Sequence, residues 1–199
     1  TQLRSEVITT MTKVLQTEFG NPSSTHSYGR SAKALIETAR KEVAGLLNVS
    51  ASEIIFTSGG TEADNLVLNS CVKDLNVTRI ISSKIEHHAV LYAINQLQVA
   101  HAITVDFITI DDCGLIDYNH LESLLADTTH KTLVSLMHIN NEIGTILDLK
   151  RTALLCKQYD ALFHSDTVQS VGHYELDFKD IPIDFAAVAA HKFHGPKGA

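Results

Sequence analysis

The 199-residue sequence lacks the features that mark several common classes of protein. It contains no tryptophan, only three prolines, and no apolar run that approaches the roughly 18 to 20 residues of a membrane span. It has no excess of basic residues, because 16 Lys and Arg stand against 23 Asp and Glu, and the formal net charge is −7. The composition therefore argues against a membrane protein and against a nucleic-acid surface, which requires clustered Lys and Arg.

The cysteines are few and dispersed: Cys71, Cys113 and Cys156 are odd in number and include no C-x-x-C pair. A disulfide framework and a zinc site are therefore not indicated. Eleven histidines are present, but none forms an H-E-x-x-H motif, so we predict no metal site. Free thiols are typical of a reducing compartment, and we expect a cytoplasmic protein. The first residues show neither an initiator Met nor a signal peptide, so we expect a trimmed start.

Helical and strand-like segments alternate along most of the chain. Strands are predicted at residues 53–57, 79–83, 102–110, 131–140, 161–166 and 184–191, with amphipathic helices between them. Strands that are apolar on both faces and separated by such helices are typical of a mostly parallel sheet with helices on both sides. We predict a three-layer α/β fold, with a single domain over residues 20–199 and a separate lead-in helix in residues 1–19.

Polar and glycine-rich stretches follow the predicted strands. These stretches are "SGGTE", "KIEHHA", "NNEIG", "SDTVQS" and "HKFHGPKG". In an open α/β sheet, ligands bind beyond the carboxyl ends of the parallel strands, which meet at one edge. The sequence therefore predicts a ligand site at that edge.

The "SGGTE" stretch favours a phosphate site. At a strand-to-helix junction, Gly60 and Thr61 would offer backbone N–H groups, a hydroxyl and the positive end of a helix dipole. A tight turn with a capping box between Thr61 and Asp64 is an equal alternative. The stretch matches neither the Walker pattern nor G-x-G-x-x-G, so nucleotide hydrolysis and NAD binding are disfavoured. A Rossmann-type nucleotide domain remains the second interpretation of the fold.

Two lysines near the end of the sequence, Lys192 and Lys197, are candidate nucleophiles. Lys192 follows the small-residue run "AAVAA" and one histidine, so we expect it at the sheet edge. A partly desolvated lysine beside other cations becomes a carbonyl nucleophile. Lys197, after Gly-Pro, is expected on a solvated loop. Asp166 ends an apolar strand three residues before Gln169, and its carboxylate would either cap the next helix or pair with a cationic ring nitrogen.

Two further residues have a structural and a functional interpretation. His87 opens a predicted helix and could be a surface residue or stack on a ring, and Asn141 in "NNEIG" could shape a turn or contact a ligand. Pyridoxal phosphate requires a phosphate cradle, a carboxylate for its ring nitrogen, a stacking side chain and a Schiff-base lysine. The candidates together favour a pyridoxal-phosphate site over purely structural roles for each residue.

Six stretches occur together in a specific order: "NPSSTHSYGR", "FTSGGTEADN", "EHHAV", "MHINNEIG", "HSDTVQSVG" and "AAHKFHGPKG". In this order the sequence resembles the NifS/IscS-type cysteine desulfurases, in the class V branch of fold-type-I pyridoxal-phosphate enzymes. The resemblance runs from about residue 20 to the last residue. It implies that residues 20–199 form the cofactor-binding large domain of such an enzyme.

The resemblance implies a role for each matching residue. Lys192 would bind the cofactor aldehyde as a Schiff base and then transfer protons, and His87 would stack on the ring and assist. Asp166 would pair with the protonated ring nitrogen. The remaining cofactor-binding residues would be Gln169 and Asn141 at the phenolic oxygen and Gly60, Thr61 and His191 at the phosphate.

The sequence departs from the family pattern at two points. The family usually has Ser-Gly before the His-Lys pair, whereas this chain has Ala189 and Ala190, so one hydroxyl expected at the phosphate is missing. The family also continues into a small C-terminal domain, and its missing half supplies the nucleophilic cysteine and an arginine for the substrate carboxylate. None of the three cysteines matches that motif. We therefore expect an incomplete, N-terminal portion that does not complete turnover by itself.

The resemblance implies an activity and partners. A cysteine desulfurase converts L-cysteine to L-alanine and leaves the sulfur as a persulfide for iron–sulfur cluster or thiolated-cofactor assembly. A homodimer and a sulfur-acceptor protein, such as an iron–sulfur scaffold, would be its partners. Another class V enzyme, such as a selenocysteine lyase or an aminotransferase, is the nearest alternative. A non-catalytic remnant that acts as a scaffold or dimerisation module is the alternative from a different class.

Overall fold

A five-stranded, entirely parallel sheet forms the centre of the computed structural model, which describes residues 1–199. The strands are β1 (Arg79–Ser82), β2 (Thr104–Phe107), β3 (Thr132–Ser135), β4 (Leu162–Asp166) and β5 (Phe185–Ala187). The helices are α1 (Ser5–Thr17), α2 (Ser27–Leu47), α3 (Gly60–Lys73), α4 (His88–His101), α5 (Tyr118–Leu125) and α6 (Leu149–Gln158). The order across the sheet is β2-β1-β3-β4-β5, which differs from the order along the chain.

Alternating residues of the central strands separate two apolar clusters, one on each face of the sheet. Ile80 and Leu133 belong to the cluster beneath α3 and α4, whereas their neighbours Ile81 and Val134 belong to the cluster beneath α5 and α6. Successive side chains of a strand point to opposite faces, so a strand that is apolar throughout is buried on both. The predicted three-layer α/β fold is confirmed.

One predicted strand is wrong. Residues 53–57 form no strand; a short 3₁₀ turn spans Ala51–Glu53, and the following residues pair with no strand of the sheet. Ile55 is 71% exposed and Phe56 is also exposed. Branched and aromatic side chains favour an extended backbone, but a strand also needs a neighbouring backbone to complete its hydrogen-bond ladder. The predicted strands that form are shorter than expected, because only the residues with such a neighbour qualify.

The two N-terminal helices contribute little to the core. α1 buries no residue, and α2 buries only Gly29 and Ala44 over its whole length. The apolar residues of α2 recur at helical spacing, yet Leu35 and Leu46 among them are exposed. The first residues instead contact the C-terminal loop, where the backbone N–H of Arg4 donates to a carbonyl oxygen at 3.3 Å. None of the helices is both long and apolar enough to cross a membrane.

The three thiols are free and differ in exposure, since Cys71 and Cys156 lie on the buried faces of α3 and α6, whereas Cys113 is exposed in a turn. Burial raises the pKa of Cys71 to about 11 and that of Cys156 to about 12, with the Asp184 carboxylate adding to each shift. Only the thiolate reacts rapidly with electrophiles. The structure therefore makes Cys113 the one reactive thiol of the folded chain.

We expect a disulfide reagent such as DTNB to titrate one thiol in the native chain and all three after denaturation. In Cys113→Ser the rapid native reaction should disappear, whereas Cys71→Ala should leave it unchanged. Rapid labelling of native Cys113→Ser would contradict the burial of the other two thiols.

Candidate active site

A single cavity of about 350 Å³ lies at the carboxyl edge of the sheet. All of the candidate site residues line it: Gly60, Thr61, His87, Asn141, Asp166, Gln169, His191 and Lys192. They come from the ends of different strands and the starts of the following helices, as the parallel arrangement requires. Six residues outside the candidate set complete the lining: Gly59, Glu62, Asp64, Met137, Val168 and Ala189.

The N-terminus of α3 faces this cavity without a side-chain cap. Gly59 precedes the helix at φ +140°, a backbone conformation that side chains rarely tolerate. The Glu62 carboxylate does not cap the helix but accepts from the backbone N–H and hydroxyl of Ser58, at 2.5 and 2.6 Å. The first amides of α3 therefore keep their hydrogen-bonding capacity for an anion. The alternative capping box between Thr61 and Asp64 is wrong.

Gly60 is required at its position by a close approach of two segments. A Cβ placed there would lie 2.8 Å from Cγ2 of Val168, in the loop after β4. The same Cβ would lie 3.7 Å from Cβ of Ala189, in the loop after β5. The start of α3 is thus packed directly against the two loops that carry the other polar groups of the cavity.

Asp166 is the last residue of β4, and its side chain lines the cavity although the residue is only 7% exposed. Its Oδ1 accepts the backbone N–H of Val168 at 2.9 Å, so the carboxylate shapes the turn after the strand. Burial, together with the Asp64 carboxylate, raises the pKa of Asp166 to about 6. Gln169 lies on the same turn and is half-buried in the cavity lining.

The two lysines are separated by the loop after β5. Lys192 ends a 3₁₀ turn, Ala190–Lys192, and lines the cavity, whereas Lys197 is exposed and does not. The loop is closed by hydrogen bonds from the Gly195 N–H to the Ala190 carbonyl oxygen at 2.8 Å and from Thr1 Oγ1 to the Lys192 carbonyl oxygen at 3.3 Å. The Lys192 amine forms no salt bridge, so it is free to meet a ligand.

The histidines and the asparagine of the cavity have ordinary local roles as well. His87 is the N-cap of α4, and its Nδ1 accepts the Ala89 N–H at 3.1 Å while the ring stays exposed. Partial burial and the Lys192 ammonium lower the pKa of His191 below its usual value. Asn141 is exposed, and its amide donates to Glu142 Oε1 at 2.6 Å.

Asn140, rather than Asn141, shapes the turn in "NNEIG". It is buried, its amide donates to the Ile85 carbonyl oxygen at 2.7 Å, and its Oδ1 accepts the N–H groups of Glu142 and Ile143 at 2.8 and 3.1 Å. The turn-shaping role in this motif therefore belongs to Asn140. Asn141 is left to face the cavity.

Three buried ionisable residues near the site were not among the predicted site residues: Asp64, which the sequence suggested only as a capping residue, Glu86 and His164. Asp64 carried a signal, because its spacing of four from Gly60 and from Leu68 places it on the buried face of α3. Glu86 and His164 carried none, since an acidic residue in a loop and a histidine in a strand are found in many environments. The role of each of the three can be inferred only from the residues that surround it in the folded chain.

Glu86 directly precedes His87 in the loop between β1 and α4, and its side chain is buried. It is 7% exposed, and its carboxyl accepts the Ser83 hydroxyl at 2.7 Å and the Met137 N–H at 2.9 Å. Burial outweighs these two hydrogen bonds and raises the pKa of Glu86 to about 8. The side chain thus links the segments that follow β1 and β3 at the edge of the cavity.

The sequence was compared with known protein families. The whole chain, residues 1–199, matches the family described as aminotransferase class-V. This chain belongs to the class-V aminotransferase family. The sequence-based resemblance to that family is confirmed over its full extent and also includes the first residues.

Relatives of this class-V aminotransferase chain agree with the finer resemblance. It is 40% identical over 200 residues to a cysteine desulfurase IscS from Dictyoglomus turgidum, covering all of this chain and 50% of that relative. A solved NifS-like protein is similar at a TM-score of 0.92 and 35% identity, over 100% of this chain and 55% of that one. A structure described as SspA in complex with cysteine has a TM-score of 0.92 and 32% identity, over 100% and 57%. The chain spans about half the length of the curated relatives it matches.

The shifted pKa of Glu86 predicts a stability effect of pH in this class-V chain. The carboxyl ionises near 4.5 when unfolded and near 8 when folded, so the unfolded chain releases a proton that the folded chain keeps. The free energy of unfolding therefore falls as pH rises between these values, by up to about 1.4 kcal/mol per pH unit. We expect Glu86→Gln to reduce this slope, as measured by urea unfolding across the interval.

Glu42→Gln is the matched control, because Glu42 is an exposed carboxylate of α2 with no hydrogen bond to another side chain. Its unfolding profile should run parallel to that of the wild type. A Glu86→Gln profile with the wild-type slope would show that Glu86 ionises normally and would contradict its burial.

Proposed function

We propose that this chain is the cofactor-binding portion of a pyridoxal-phosphate-dependent cysteine desulfurase. The observation that carries the proposal is that one cavity contains the uncapped start of α3, the Asp166 carboxylate and the unpaired Lys192 amine. These groups suit, in turn, a phosphate, a protonated ring nitrogen and an aldehyde. Such a combination has no evident use in a purely structural domain.

The phosphate would lie at the N-terminus of α3. Gly60 and Thr61 offer backbone N–H groups there, Thr61 adds a hydroxyl, and His191 lines the same cavity. The helix dipole favours the negative charge. The side chain of Ala189 offers no hydrogen bond to a phosphate, but the helix terminus supplies most of the donors that a phosphate needs.

The cofactor ring would lie between the start of α4 and the end of β4. His87 would stack on one face of the ring, and Gln169 and Asn141 would donate to its phenolic oxygen. Asp166 would pair with the ring nitrogen and keep it protonated. The bound cofactor supplies an electron sink for the carbanion that forms when a proton leaves the substrate.

Lys192 would serve two purposes in this arrangement. Its amine would bind the cofactor aldehyde in the resting state. The same amine would also remove and return protons at the substrate carbon, as a general base and acid. The hydrogen bonds that close the loop hold the lysine backbone at the rim while its side chain moves.

The substrate and partners follow from the relatives. The matched curated relatives are named cysteine desulfurases, and one similar structure is described with cysteine. We infer L-cysteine as the substrate, L-alanine as the product, and transfer of the sulfur as a persulfide to an acceptor protein such as an iron–sulfur scaffold. A homodimer and a reducing, cytoplasmic location are part of this proposal, and the three free cysteines support the location.

Borohydride trapping tests the proposal. It reduces a linkage between an amine and the cofactor aldehyde to a stable secondary amine, which mass spectrometry places on one residue. After incubation of the chain with pyridoxal phosphate, we expect the adduct on Lys192, loss of the adduct in Lys192→Ala and its retention in Lys197→Ala. An adduct on Lys197, or none on the folded chain, would refute the assignment.

Ala189→Ser tests the position of the phosphate separately. Because Ala189 packs near the start of α3, a hydroxyl there would add one hydrogen bond to a charged group, which corresponds to about a tenfold lower dissociation constant for pyridoxal phosphate. Pyridoxal, which lacks the phosphate, is the matched control ligand and should show no gain. An equal change for both ligands would place the phosphate elsewhere.

A further inference from the structure

Two polar side chains are buried beneath the cavity without satisfied hydrogen bonds. Asp64 of α3 is 1% exposed and His164 of β4 is 0% exposed. Asp64 Oδ1 and His164 Nε2 are both sealed from solvent and have no hydrogen-bond partner. A buried polar atom left in this state costs free energy, and a buried carboxylate costs more unless an opposite charge is near.

The two unsatisfied atoms lie within ion-pair distance of each other. The distance from His164 Nε2 to Asp64 Oδ1 is 3.4 Å, a close ion pair if the ring carries both protons. The other ring nitrogen, Nδ1, lies 2.9 Å from Ser135 Oγ on β3. The carbonyl oxygen of Ser135 in turn accepts the hydroxyl of Ser82 on β1 at 2.9 Å. The imidazole is thus fixed between a carboxylate and a hydroxyl.

The pair lies on the same side of the sheet as Asp166. His164 and Asp166 are two residues apart on β4, so their side chains point to the same face, which α3 covers. Leu162, two residues earlier, packs against the cluster beneath α3 and α4 and confirms which face this is. The carboxylates of Asp64 and Asp166 therefore lie on the same side of the sheet as the buried His164 imidazole.

The charges around Asp166 shift its pKa in both directions. The Asp64 carboxylate and burial raise its pKa, whereas the His164 and His87 rings lower it. Glu86 faces it from the loop before α4 and is itself affected by the Asp166 charge. The other ionisable groups around the shared cavity are Glu62 of α3 and, from the loop after β5, His191 and Lys192.

We propose that His164 and Asp64 form a buried pair that positions the charge on Asp166. The imidazolium of His164 offsets the Asp64 carboxylate, so that Asp166 remains ionised and can hold a proton on a ligand's ring nitrogen. His164 and Asp64 are positioning residues, since they act on the ligand only through Asp166. The consequence for a cofactor rests on the proposed function, but the charge relation among the three residues does not.

The relation predicts that the single and double variants differ in their effect on the pKa of Asp166, which a structural role would not give. His164→Gln keeps a hydrogen bond to Ser135 but leaves two carboxylates facing each other, so the pKa of Asp166 should rise by about one unit or more. Asp64→Asn alone should not raise it. In the double variant both charges are gone, and the pKa should return to the wild-type value or below it.

The titration of Asp166 in the ligand-free, full 199-residue chain is the direct test. Carboxyl ¹³C NMR with labelled aspartate follows it, and Asp166→Asn assigns the resonance. An unchanged pKa in His164→Gln, or an equal rise in the single and double variants, would overturn the proposal. Should His164→Gln fail to fold, the ¹⁵N resonances of the His164 ring decide: both nitrogens protonated in the wild type at neutral pH and only one in Asp64→Asn support the pair, and any other pattern refutes it.

The ring nitrogen of ¹⁵N-labelled pyridoxal phosphate extends the test to the ligand. In the wild-type complex its chemical shift should be that of a protonated pyridine, and in His164→Gln it should move toward the neutral form, with weaker binding that the double variant restores. If no complex forms, the proposed function fails while the Asp166 titration still decides the pair. A shift that is the same in all variants would refute the effect on the ligand.

Discussion

The parallel pairing of β4 with β5 is the interaction on which the site depends. The register places Asp166 beside Ala187, and the next residue, Thr167, donates both its N–H and its hydroxyl to the Ala187 carbonyl oxygen, at 3.0 and 2.8 Å. Beyond this point the loops after β4 and β5 both contribute residues to the lining of the cavity. A slip of one residue would turn Asp166 to the opposite face of the sheet. The cavity is therefore a consequence of register.

Most of the polar groups buried in this fold lie at the same edge of the sheet. Asp64, Glu86, His164 and Asp166 are buried within the reach of one another's charge, whereas the opposite end of the sheet has one buried ionisable residue, Arg79, which pairs with Asp106. Such groups weaken a fold by several kcal/mol when they are poorly paired. Two apolar clusters, one on each face, supply the stability that permits this concentration. Buried polar groups that lower the stability of the fold are expected where a site binds a ligand.

The spacing of apolar residues in the sequence was sufficient to predict much of the fold. The short apolar strands and the amphipathic helices could be placed from the sequence, and the rule that ligands bind at the carboxyl ends of parallel strands brought the candidate residues to one edge. The prediction of a strand at residues 53–57 failed, because β propensity is a property of one segment, whereas a strand forms only beside a second segment with which it pairs. The spacing also did not distinguish the two asparagines of "NNEIG", since their roles depend on which one turns inward toward Ile85.

The sequence by itself determined the α/β class, the family and the position of Lys192 at the carboxyl edge of the sheet. Each of these follows from local spacing or from motifs that are contiguous in the chain. Only the tertiary structure decided that Asp64 faces His164 and that Glu86 bridges to Met137. Periodicity specifies which face of an element is buried, but the neighbour of that face depends on the order of the strands, which here is not the order of the chain. Contacts between distant charges are therefore set by topology.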